Sequence, residues 1–97
     1  MRMNADLDDE PITRSDLHGY FHPREIVADH SVPTARRRAM LAYWLSDANA
    51  VGGTPGLRNS GWVTTTVGEL RSALSALDEI EAMMAAQAAG TPRQTAA

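Results

Sequence analysis

Apolar residues fall on helical spacing in two stretches of this chain and are scattered elsewhere. In the first, Met40, Leu41, Trp44, Leu45, Ala48 and Val51 form one stripe of a helix with 3.6 residues per turn. The spacing predicts a helix from about Pro33 or Thr34 to Ala50, ended by Gly52 in a left-handed cap conformation. In the second, Val67, Leu70, Leu74, Leu77 and Met84 share a side, with Ala73, Ile80 and Met83 beside them. Thr66-Val67-Gly68-Glu69 reads as a capping box at its start. This helix is expected to reach Ala89, where Gly90 and Pro92 stop it.

Shorter signals lie around these stripes. Pro23 suits the first position of a helix and Glu25 its first turn, which predicts a short helix over 23–29 with His22 at or near the N-cap. His18 to His22 forms a small aromatic cluster on an irregular segment. Residues 52–61, GGTPGLRNSG, are turn chemistry throughout. Around Asn59-Ser60-Gly61, the flanks 56–58 and 62–64 suit a very small hairpin, and Trp62 to Val67 is rich in β-branched residues. An isolated hairpin is marginal, so this one has to lie on the helices.

The expected fold is mainly α: a small helical domain with two long antiparallel helices, a short N-terminal helix and at most a minor β-hairpin. Residues 1–15 read as a disordered acidic arm, 16–90 as one domain and 91–97 as a disordered tail. At 1.5 Å per residue the long helices measure about 25 and 34 Å, so the last overhangs its neighbour by roughly 8 Å. Met83 and Met84 lie on that overhang.

Composition narrows the function. A chain of 97 residues without cysteine has no disulfide or thiolate metal site, and its core is small enough that association with a copy or a partner is a common source of stability. The absence of cysteine fits the cytoplasm. No apolar run approaches the roughly 20 residues of a membrane span, and the acidic N-terminus is unlike a secretory signal. A net charge of −3 argues against general nucleic-acid binding. All nine basic residues are arginine, each a planar fork suited to carboxylate or phosphate.

The densest positive charge is Arg36-Arg37-Arg38. Together with Arg24 to Asp29 and a turn at His30 to Pro33 it resembles a DNA-binding helix-turn-helix, whose second helix presents its N-terminal residues to the major groove. The plainer reading is a solvated helix face whose arginines pair with Glu25, Asp29 or the acidic arm. His18 and His22 have the spacing of two helical metal ligands, but Gly19 and Pro23 argue against a helix there. There is no GxSxG elbow, and Gly52-Gly53-Thr54-Pro55-Gly56 lacks the lysine of a phosphate loop. Asp47 reads as a solvated surface residue, and Trp44 and Trp62 as core anchors.

From His22 to about Asp78 the chain resembles a group of short uncharacterised bacterial proteins. The pattern is His22-Pro23, Val27, Asp29, Arg38-Ala39-Met40-Leu41, Trp44, Ser46-Asp47-Ala48, Ala50-Val51 and Pro55-Gly56-Leu57-Arg58, then Val67-Gly68-Glu69-Leu70 and Ala76-Leu77-Asp78. The arginine triplet stands where such sequences tend to have mixed charge, and Pro33 where a capping hydroxyl is common. The resemblance implies no activity. It does imply that the loop carrying Leu57-Arg58 belongs to the fold.

The leading reading is a non-enzymatic protein-interaction or regulatory module of the bacterial cytoplasm. Arg36, Arg37, Arg38, Met83 and Met84 are its candidate partner-binding residues, and the partner is another protein or a second copy. No cofactor, metal ligand or catalytic residue is expected. The alternative is a helix-turn-helix-like nucleic-acid binder acting through the arginine triplet. A small enzyme or metal protein ranks third.

Overall fold

The computed structural model describes the backbone of residues 11–96 and the side chains of 11–88. Residues 1–10 of the acidic arm lie outside the described residues. The chain opens with a 3-10 turn at Arg14–Leu17, then α1 (Pro23–Ala28), α2 (Thr34–Leu45), a second 3-10 turn at Asp47–Asn49, β1 (Ala50–Val51), β2 (Thr54–Asn59), β3 (Thr64–Thr66) and α3 (Val67–Ala96). The strands form one antiparallel sheet in the order β1-β2-β3.

Among the described residues there are thus three α-helices and a three-stranded sheet, a mixed α/β fold. The expectation of a mainly α domain with two long antiparallel helices is corrected. One helix has 30 residues, but α2 has only 12. Polar side chains end α2 early. Ser46 Oγ and Asn49 Nδ2 both donate to the Tyr43 carbonyl, at 2.7 and 2.6 Å. Side-chain donors that satisfy a last-turn carbonyl compete with helix continuation. Ala48, placed on the apolar stripe by its spacing, is exposed, and Val51 enters β1 instead of the helix.

The β2–β3 hairpin pairs Leu57 with Thr66, Arg58 with Thr65 and Asn59 with Thr64. Its loop is held from inside. The buried Ser60 hydroxyl accepts from the Trp62 and Val63 amides, and Asn59 Oδ1 accepts from the Gly61 amide at 2.6 Å. Gly61 has φ +113°, a conformation that side chains with a Cβ rarely adopt. On the other side of β2, the Gly52-Gly53 pair does not cap a helix but turns β1 into β2, with Gly53 at φ +79°.

Arg58 fastens the sheet to α2. Its guanidinium donates to the carbonyls of Leu45 (2.8 Å), Pro55 (2.7 Å) and Leu57 (2.9 Å), and faces Asp47 at 3.6 Å. The Trp44 indole donates to the Arg58 carbonyl at 3.4 Å. Leu57-Arg58, expected on a loop, is therefore part of a strand and of the fold.

The core comprises Leu17 from the first 3-10 turn, Ile26 and Val27 from α1, Met40, Leu41 and Trp44 from α2, and Leu70, Ala73 and Leu77 from α3. Trp44 is fully buried, as expected of a core anchor. Trp62 is not one: it is 51 % exposed, and its ring meets His18 edge-on at 4.8 Å between centroids. The start of α3 follows the capping reading in part. Thr66 Oγ1 accepts from the Glu69 amide at 3.0 Å, whereas the Glu69 carboxylate is turned toward His22. Its expected stop at Gly90 and Pro92 is not taken; the helix continues to Ala96.

Candidate functional site

The three arginines of α2 sit on one turn but point to three different places. Arg37 is buried and donates to Val32 O (2.9 Å), Val27 O (2.6 Å) and Thr34 Oγ1 (3.1 Å). It closes the turn between α1 and α2 by donating to a buried carbonyl at one end of it and a part-buried carbonyl at the other. Arg36 bridges to Asp16 at 3.1 Å and so holds the first 3-10 turn. Arg38 pairs with Asp78 and Glu81 on α3. Among the described residues the acidic partners are Asp16, Asp78 and Glu81, and the Arg37 charge also acts on the Asp29 carboxyl. The triplet ties three elements to α2 instead of presenting one positive face.

Acidic partners complete these ties. Asp16 accepts from the Thr13 amide at 2.9 Å, which with Arg36 holds its carboxyl below the usual carboxylate range. Asp29, at the end of α1, accepts from the Ser31 hydroxyl and amide and from the Tyr20 hydroxyl. These donors, Ser31 first, lower its carboxyl too. Burial, reinforced by Asp29, pushes the Tyr20 phenol up to about 12.

The histidines are placed singly. His18 lies against Trp62. His22 Nδ1 accepts from the Arg24 amide at 3.0 Å and caps α1, while its Nε2 lies 3.3 Å from Glu69 Oε1. Among the described residues, no three His, Asp or Glu side chains are grouped to hold a metal ion, and no pocket opens.

Met83 and Met84 are 61 and 54 % exposed on α3. Leu70, Ala73 and Leu77 are buried earlier on the same helix, Leu74, Ala76 and Ile80 are half-buried, and residues 82–88 are exposed. At 1.5 Å per residue α3 is about 45 Å long and α2 about 18 Å. The overhang is larger than the sequence spacing implied, because α2 is shorter and α3 longer.

Several structural residues carried no signal in the sequence. Leu17 stands alone among polar neighbours and Asn49 inside a presumed helix. Arg37 looked like one of three equivalent surface cations. Comparison of the chain with protein-family models, curated proteins and solved structures finds no match.

Proposed function

We propose that this protein is a non-enzymatic interaction module that binds another protein, or a second copy of itself, through the far half of α3. The observation that supports it is the exposed pair Met83 and Met84 on a helix that outruns the elements packed against it. Methionine is a flexible, polarisable contact residue suited to surfaces that repack on binding. Most helical stability in proteins comes from packing of one face and not from propensity, so cover from a partner would stabilise this half. No helix among the described residues is long and apolar enough to cross a membrane. The lack of cysteine fits a reducing compartment such as the bacterial cytoplasm.

The helix-turn-helix reading has less behind it. Two helices and a turn are present, but Arg37 is buried, and Arg36 and Arg38 engage acidic residues of the same chain. Phosphate binding would require those internal contacts to be given up.

Sedimentation of the full chain across a wide concentration range tests the proposal, alongside capture of partners from cells of the source organism. Mass that rises with concentration, or a captured protein, should be lost in Met83→Glu plus Met84→Glu. A monomer whose captured proteins are unchanged by the double substitution would overturn it.

A further inference from the structure

The two contacts of His22 require different things of its ring. The Arg24 amide donates to Nδ1 at 3.0 Å, so Nδ1 must carry a lone pair. Nε2 faces the Glu69 carboxylate at 3.3 Å and serves it best with a proton. Both are satisfied together only by the neutral ring with its proton on Nε2. An imidazolium has protons on both nitrogens: it can still bind Glu69 but can no longer accept from the Arg24 amide.

We propose that His22 is a protonation-dependent joint between α1 and α3, capping α1 when neutral and releasing that cap, while held by Glu69, when protonated. The charged groups on the two elements around the ring are of both signs: Glu25 and Arg24 on α1, Glu69 and Arg71 on α3, near the first turns of both helices. β3 brings only the uncharged Thr66, whose hydroxyl holds the Glu69 amide. Arg24 itself reaches Ser72 on α3 at 3.3 Å, and Glu25 accepts from the Phe21 amide at 2.7 Å. The joint matters because α1 carries Pro23, Ile26 and Val27 into the interior and supplies the Val27 carbonyl to Arg37. Phe21, 72 % exposed, stands next to the ring at the entrance to this helix.

The test is an NMR titration of the full chain from about pH 8 to about pH 5, the interval in which histidine side chains ordinarily change charge. Imidazole nitrogen shifts should report the Nε2–H tautomer at the upper end. The Arg24 amide shift should then follow the His22 titration, and its protection factor should fall about fivefold, the ratio that corresponds to a cap of about 1 kcal/mol. His22→Asn keeps a capping oxygen at every pH, so the Arg24 amide should stop following pH. An Nδ1–H tautomer at pH 8, an Arg24 amide indifferent to His22 protonation, or an equal response in His22→Asn would overturn the proposal. The wild-type titration decides it even if a variant fails to fold.

Discussion

The first and second halves of α3 obey different rules. Between Val67 and Ile80 the helix places Leu70, Ala73 and Leu77 in the core, begins on a threonine cap and is tied sideways to α1 and α2 through Arg24–Ser72 and Arg38–Asp78. Beyond Glu81 the described side chains are exposed, and the large apolar ones are methionines. The two halves share one backbone conformation, yet among the described residues the buried side chains that meet α1, α2 and the first 3-10 turn all lie on the first. Apolar periodicity therefore marks which face of a helix can be buried. Whether it is buried depends on what lies alongside.

Substitutions should separate the packed body from the overhang. The largest effect belongs to Trp44→Ala, about 3–5 kcal/mol, because a large buried side chain would leave a cavity among Leu41, Leu70 and their neighbours. A domain of this size would be mostly unfolded by that loss, as circular dichroism and urea titration would show. Trp62→Ala, on the exposed hairpin loop, should change stability far less.

Next is Arg37→Met, which removes the donor from the Val27 and Val32 carbonyls. The expected cost is about 3 kcal/mol, since each buried carbonyl left without a partner costs roughly 1–3 kcal/mol. Arg37→Lys should recover little of it, because an ammonium does not reproduce the planar fork that spans three acceptors. If Arg36→Met proves equally damaging in urea titrations, the distinction between a buried arginine and its half-exposed neighbour fails.

Thr66→Ala should cost about 1 kcal/mol and Thr66→Ser almost nothing, since only the hydroxyl oxygen engages the Glu69 amide. Equal stability of the two variants would contradict the cap.

Smaller again is the pH dependence of the body. Asp16 and Asp29 both have lowered folded-state pKa values against a reference of 3.8, so their contribution is fully present above that value and lost as pH falls through the folded values. Tyr20 has the opposite sign: its contribution is present below 10 and lost as pH rises toward about 12. Melting temperature should fall at both extremes. Tyr20→Phe should flatten the alkaline limb, and Asp16→Asn with Asp29→Asn the acid limb.

Smallest of all should be Met83→Glu plus Met84→Glu, within about 0.5 kcal/mol for the isolated chain, because exposed positions away from packed contacts rarely matter to stability. A large loss in dilute protein would show that the overhang is packed after all and erase the contrast between the halves of α3.

Much of the body was legible in the sequence. Periodicity located α3 and the buried part of α2, Pro23 with His22 located α1, and Asn59-Ser60-Gly61 located a hairpin, because each rests on contacts within a few residues. The third strand was not legible. Val51 continues the helical stripe in sequence, whereas in the fold the Tyr43 carbonyl is taken by Ser46 and Asn49 and Ala50-Val51 pairs with β2. The candidate site was read least well. In sequence Arg36, Arg37 and Arg38 are three adjacent cations, and their separate destinations depend on where Val27, Asp16 and Asp78 arrive.

The sequence by itself determined where the three helices begin, the His22 and Thr66 N-caps and the apolar faces of the helices, since these follow from the preferences of neighbouring residues. It also determined the lack of disulfides and the modest negative charge. Tertiary structure alone decided that Leu17 enters the core and Trp62 stays out. It also decided that Arg58 locks the sheet to α2, that one arginine of three is buried, and that Glu69 turns from its own cap to His22. Each of these depends on partners distant in sequence, and a side chain with several possible partners takes the one that the packed fold brings within reach and removes from water.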